Sequence, residues 1–173
     1  RYCKIKYDQN QGVGPGQIPQ ARFINCEHTW PQSRFNPKFS KSLQKNDLHH
    51  LFPVSSRANS SRSNHPFGEV DGRIVNNNCQ DSHIGAVIFK NQTTTSFEPA
   101  IEVRGNIARA LFYFSTRYDL PIDEAQEFYL RRWHREDPVD LNEERANNRI
   151  YEIQNSRNPF IDDQDLVNVI TDF

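Results

Sequence analysis

A chain of 173 residues, 35% apolar and 25% charged, has room for one domain with a sizeable core and little room for two. Its twelve Phe, six Tyr and two Trp supply bulky core material that disordered chains lack. No stretch approaches the roughly 20 apolar residues needed to cross a bilayer, so no membrane role is expected. The formal net charge of −1 conceals a split along the chain. Residues 1–75 hold eleven Lys and Arg against five Asp and Glu, a balance of +6, and residues 76–173 hold ten against seventeen, a balance of −7. Such an asymmetry suits a protein that turns one face to phosphates and keeps the other solvated.

The chain begins at Arg1 and contains no Met, which points to a processed or trimmed product; a removed export signal would account for both. Cys3, Cys26 and Cys79 allow one disulfide at most, with Cys3–Cys79 the favoured pair if a bridge forms and three reduced, buried thiols as the alternative.

In chain order, residues 1–20 are rich in Gly, Gln, Asn and Pro and read as an irregular lead-in, including the loop Gly12–Gly16. Ala21–His28 alternates loosely, as a short strand does, and a polar connection over 31–46 leads to a second expected strand at Asp47–Phe52. After Pro53, Val54–Asn64 is compatible with a short helix that His65-Pro66-Phe67-Gly68 would stop. Asp71–Gln80 is turn-rich, and His83–Phe89 is apolar enough for a buried strand. Beyond Pro99 the pattern turns helical. Val103, Ile107, Leu111, Phe114 and Tyr118 recur at spacings of three and four, and Ala125, Tyr129 and Trp133 mark a second helix after Pro121. Asp140 and Glu143 resemble a capping pair for a third helix with Leu141, Ala146, Ile150 and Ile153 as its apolar positions, and a last helix is expected from Asp162 towards Phe173. The fold expected is α+β: strand, strand and short helix over about 21–66, then a mainly helical part over about 98–173, in a single mixed domain of residues 1–173.

Histidine, carboxylate, carboxamide and arginine are dense between residues 25 and 64: Asn25-Cys26-Glu27-His28-Thr29-Trp30-Pro31-Gln32-Ser33, Asp47-Leu48-His49-His50-Leu51-Phe52-Pro53 and Asn59-Ser60-Ser61-Arg62-Ser63-Asn64. Phosphodiester hydrolysis asks for a base to activate water, a cation against the developing phosphorane charge and support for the departing oxyanion. His28 suits the base, the hard oxygens of Glu27 and Asn59 suit Mg²⁺, and Arg62 suits a forked grip on phosphate. A zinc site is disfavoured: HExxH and paired CxxC spacings are absent, and adjacent His49 and His50 on a strand would face opposite ways.

These segments resemble the endonuclease I family of bacterial secreted and periplasmic nucleases, within the ββα-metal or His-Me finger group. The match runs through EHTWPQS (Glu27–Ser33), DLHHLFP (Asp47–Pro53) and NSSRSN (Asn59–Asn64), and continues with RGNIARALFY (Arg104–Tyr113), DPVD (Asp137–Asp140) and RNPF (Arg157–Phe160). The resemblance implies a ββα-metal core. It also implies Glu27 and Asn59 as metal ligands, His28 as general base, Arg62 as the residue holding the cleaved phosphate, and His49 as support for His28, with plain packing of His49 the alternative.

The same resemblance implies a metal-dependent, nonspecific endonuclease on DNA and RNA that yields 5′-phosphate products. Mg²⁺ would be the cofactor, with Mn²⁺ or Ca²⁺ as substitutes, and the enzyme would be a secreted or periplasmic monomer. Two further readings stand beside it: a secreted ribonuclease on the same scaffold, and a nucleic-acid-binding protein without catalysis. Trp30 reads as a core anchor rather than a base-stacking platform, and Arg104 and Arg109 as either nucleic-acid contacts or internally paired arginines.

Overall fold

The computed structural model describes residues 2–11, 13, 14 and 16–173; of the expected loop Gly12–Gly16, Gly12 and Pro15 lie outside the described residues. The chain forms two compact units, and neither is contiguous: Arg1–Glu27 with Phe52–Ile101, and His28–Leu51 with Glu102–Phe173. The architecture is the expected α+β, with strand, strand and short helix preceding a mainly helical C-terminal half.

In the first unit, strand β1 (Ile24–His28) pairs with β2 (Leu51–Ser55) in a two-stranded sheet, each strand running one residue past the unit boundary. Helix α1 (Lys41–Lys45) falls between them in sequence, within the second unit, and α2 (Ser56–Arg62) follows β2 directly. The helix begins two residues later than expected because Val54 and Ser55 belong to the strand, where both are buried.

A three-stranded antiparallel sheet follows: β3 (Asp71–Asn76), β4 (Cys79–Phe89) and β5 (Gln92–Glu98). The sequence pattern indicates only His83–Phe89, the C-terminal part of β4, where Val87 alone is buried. The strands on either side escaped notice because β3 is largely exposed and carries turn-like residues, while β5 is a Thr-rich run whose β-branched side chains are the strand signal. Lys90 and Asn91, at φ 46° and 65°, make the two-residue turn between β4 and β5 that matches strand twist. Tyr2, Val54, Ala58, Phe67, Val87 and Phe97 form the buried core of this unit, and a Cys3–Cys79 disulfide ties its N-terminal segment to β4.

The second unit is built on helix α3 (Arg104–Tyr118), buried continuously from Gly105 to Ser115. Of the expected stripe, Ile107, Leu111, Phe114 and Tyr118 are inside and Val103, ahead of the helix, is half-buried; the rest of Gly105–Ser115 is buried too, because α4 (Glu124–Glu136) and α6 (Pro159–Asp162) pack against it. Asp123 caps α4, accepting from the Ala125 and Gln126 amides, and Trp133 is fully buried; truncating such a side chain typically costs about 3–5 kcal/mol.

Helix α5 (Leu141–Gln154) inverts its expected packing. Leu141 and Ile153 are 65% and 64% exposed, while Glu143 and Asn147 are buried. Asp140 caps the helix through the Asn142 and Glu143 amides as expected, but the Glu143 side chain turns inward to Arg109 instead of completing a capping box. Polar pairing, not apolar periodicity, decided which face went in. Of the last helix expected from Asp162 towards Phe173, only the short α7 (Leu166–Val169) forms, and α6 ends at Asp162.

Candidate active site

Alternation along β1 places Asn25 and Glu27, two residues apart, on one side of the strand. Glu27 is buried and receives two donors on the same oxygen: the Tyr2 hydroxyl at 2.9 Å and Arg62 Nη1 at 3.0 Å, both to Oε1. Among the described residues Oε2 receives none. Burial pushes the Glu27 carboxyl above its usual range, against the lowering pull of Arg62 and Tyr2, as expected for an anion withdrawn from water.

Asn59, one turn before Arg62 on α2, donates from Nδ2 to Asn25 Oδ1 at 2.7 Å. The amide nitrogen is thereby spent on Asn25, and the carbonyl oxygen is turned the other way. Arg62 is 2% exposed and its guanidinium lies 4.5 Å over the Phe67 ring. The guanidinium expected to grip phosphate is thus buried here and donates to Glu27.

In the second unit, His28 is partly exposed. Its Nε2 lies 3.0 Å from the Lys45 carbonyl, which can only accept, so Nε2 carries the proton and Nδ1 holds the lone pair. The Gln32 amide nitrogen, 3.4 Å from Nδ1, agrees with the same tautomer. His50 stands beside this ring at 5.2 Å between centroids and is itself seated on Phe114 at 4.3 Å, with its Nδ1 donating to the Asp47 carbonyl at 2.8 Å. The Thr29 amide and hydroxyl both donate to the His50 carbonyl, at 3.0 and 3.1 Å, fixing the backbone just after His28.

His49 lies elsewhere. Asp47 Oδ1 accepts from its amide and caps a single 3-10 turn over Leu48–His50 where a strand was expected, so the two histidines diverge for a reason other than strand alternation. The His49 ring packs on Tyr113 at 4.6 Å, and its Nε2 donates to the Ser156 carbonyl at 3.0 Å. Burial holds its pKa below the usual histidine value despite that carbonyl and Asp47, so it stays neutral at physiological pH. The imidazole that neighbours His28 is that of His50, which sequence reasoning passed over; a 3-10 turn is not visible in a pattern read for strands.

Of the remaining expectations, Trp30 is a core anchor, 5% exposed and stacked on Phe114 at 5.5 Å. Arg109 is fully buried and bonded to Glu143 and the Asp137 carbonyl, the internally paired alternative. Arg104 lies 5.2 Å over the Trp133 ring.

The donor set fits a hard divalent cation that keeps most of its water. A Glu27 carboxylate oxygen that receives no donor among the described residues and the Asn59 carboxamide oxygen are suitable ligands for Mg²⁺. A zinc-type cage is not offered: no cluster of three or more His, Cys, Asp and Glu suited to a metal occurs among the described residues.

The Endonuclease I family model matches residues 1–165. An extracellular ribonuclease of Bacillus subtilis (strain 168) is 33% identical over 158 residues, covering 80% of this chain and 50% of that protein. A periplasmic deoxyribonuclease of Aeromonas hydrophila is 35% identical over 164 residues, covering 86% and 67%. An extracellular deoxyribonuclease of the same species is 31% identical over 187 residues, covering 94% and 79%. The chain thus spans about half the length of the Bacillus ribonuclease it matches. Residues 1–165 cover nearly the whole chain, and the chain belongs to the Endonuclease I family.

Proposed function

We propose that this protein is a metal-dependent, nonspecific endonuclease hydrolysing the phosphodiesters of DNA and RNA, exported from the cell or held in the periplasm and active as a monomer. The observation that carries the reading is the 3.0 Å contact of His28 Nε2 with the Lys45 carbonyl: a neutral ring that donates there keeps on Nδ1 the lone pair a general base needs. The relatives' names span deoxyribonuclease and ribonuclease, extracellular and periplasmic, which supports the broad substrate class and the location.

His28 Nδ1 takes a proton from the attacking water as its oxygen bonds to phosphorus. The P–O3′ bond breaks on the far side, leaving a 5′-phosphate and a 3′-oxygen that is protonated from solvent. A bound Mg²⁺ would supply positive charge against the phosphorane and the departing oxygen. Glu27 and Asn59 would hold the ion, and Arg62 and Asn25 hold those two side chains in turn. Between Glu27 and Asp47 the chain carries Arg34, Lys38, Lys41 and Lys45 with no acidic residue, and all four are exposed. Phosphate contacts of that kind carry no sequence information, which supports a nonspecific nuclease.

The test is incubation of the purified chain with supercoiled plasmid and with single-stranded RNA, in Mg²⁺ and in EDTA. Both polymers are cut in Mg²⁺ and neither in EDTA. RNA cleavage alone identifies a ribonuclease, and neither polymer cut in Mg²⁺ leaves a binding protein without catalysis.

A further inference from the structure

Tyr2 is remote in sequence from every residue expected to do chemistry, yet it is fully buried and its hydroxyl reaches Glu27. Its ring stands 4.9 Å from Phe97 and edge-on to Phe67 at 6.2 Å. Its carbonyl accepts from the buried Ser82 hydroxyl at 2.5 Å, and its neighbour Cys3 is bonded to Cys79 across a sequence separation of 76. Backbone, ring and hydroxyl are each fixed by a different partner. Filling the space does not require that: phenylalanine would occupy the same pocket without burying a donor that must find an acceptor.

Glu27 shows what the hydroxyl does. A buried carboxylate kept for structure alone is expected to satisfy both oxygens. Here both donors converge on Oε1. One N–H bond from Arg62 leaves a carboxylate free to swing about its last torsion. A second donor, arriving from another segment of the chain, removes that freedom and leaves Oε2 with a defined direction.

We propose that Tyr2 is a positioning residue for Glu27, aiming Oε2 at a divalent cation, and that the Cys3–Cys79 bond is what keeps Tyr2 in register. This rests on the reading of Glu27 as a cation ligand. A ligand already held in its bound rotamer loses less freedom on binding, and residues that orient a metal ligand typically govern affinity by about 10- to 100-fold.

Mn²⁺ binding to the full chain, followed by the electron paramagnetic resonance of the free ion and without nucleic acid, tests it. Tyr2→Phe keeps the ring and loses the hydroxyl, and it weakens binding by roughly 10-fold. The double variant Cys3→Ser/Cys79→Ser weakens it by a similar factor, and adding Tyr2→Phe to that pair weakens it no further, because both changes remove the same restraint. Unchanged Mn²⁺ affinity in Tyr2→Phe overturns the proposal, and so do losses that multiply in the triple variant. Glu27→Gln separates the two levels. If it abolishes binding while Tyr2→Phe does not alter it, only the role of Tyr2 fails; if Glu27→Gln also binds normally, Glu27 is not a ligand and the reading beneath it fails.

Discussion

Asn59 donates its amide nitrogen to Asn25 Oδ1 at 2.7 Å, and this one bond orients the carboxamide whose oxygen is the proposed cation ligand. Asn25→Ala removes the acceptor and lets Asn59 rotate, so Mn²⁺ affinity falls by roughly 10-fold. Asn25→Asp retains the acceptor and adds negative charge, so its affinity stays at or above that of the wild type. Calorimetric titration of both variants decides the matter: equal affinity in Asn25→Ala would mean that Asn59 is not oriented by this bond.

Asp47 predicts how the protein responds to acid. Burial alone would raise its pKa, but bonds from Gln154, Tyr118, the His49 amide and Tyr113 outweigh burial and hold it below the usual carboxylate range. Burial and the Asp47 bond together push Tyr118 up to about 12, so that phenol remains a donor. A carboxylate with a folded pKa below its unfolded value of about 3.9 contributes stability above that pH and loses it as pH falls through the folded value. Asp47→Asn should therefore cost about 1–3 kcal/mol at pH 7 and lose less than wild type between pH 5 and pH 2, measured by urea unfolding. Equal acid sensitivity in the two proteins would contradict this.

Arg109 and Glu143 form a buried forked pair linking α3 to α5, with Arg109 Nε at 2.8 Å from Glu143 Oε1. Removing one partner strands the other charge, so Arg109→Ala and Glu143→Ala should each cost about 3–5 kcal/mol. The joint replacement Arg109→Met/Glu143→Leu should recover much of that loss in denaturant titrations, since apolar residues of similar volume can fill the site. A double variant as unstable as the sum of the single ones would show that the pair is more than mutual neutralisation.

Gly105 inverts the usual helix rule. Alanine in a helix is ordinarily better than glycine by about 1 kcal/mol. A Cβ on Gly105, however, would lie 1.9 Å from the Asp137 carbonyl oxygen, while the Gly105 amide donates to Asp137 Oδ2 at 2.8 Å. Gly105→Ala should lower stability by about 1–3 kcal/mol in thermal unfolding; a stabilised variant would mean that the two backbones separate readily.

How much of this was legible in the sequence depended on the reach of each interaction. The strand with Glu27 and His28, the short helix with Asn59 and the core positions of α3 follow local period and turn chemistry. The inverted face of α5 does not, because Glu143 and Asn147 are buried by partners at Arg109, Asn158 and Asp162 that no local pattern reveals. Gln32 lies four residues from His28 within one motif and could have been found. Tyr2 and the Lys45 carbonyl could not, since one acts across 25 residues and the other is a backbone atom. His50 was hidden by reading a capped 3-10 turn as a strand.

His28 is proposed as the base, with the cation held without it. Single-turnover nicking of supercoiled plasmid, with Mn²⁺ occupancy measured in the same samples, tests this most directly. His28→Ala is expected to retain Mn²⁺ binding and to slow cleavage by about 10²- to 10⁴-fold. Wild-type cleavage by His28→Ala at equal metal occupancy would contradict it.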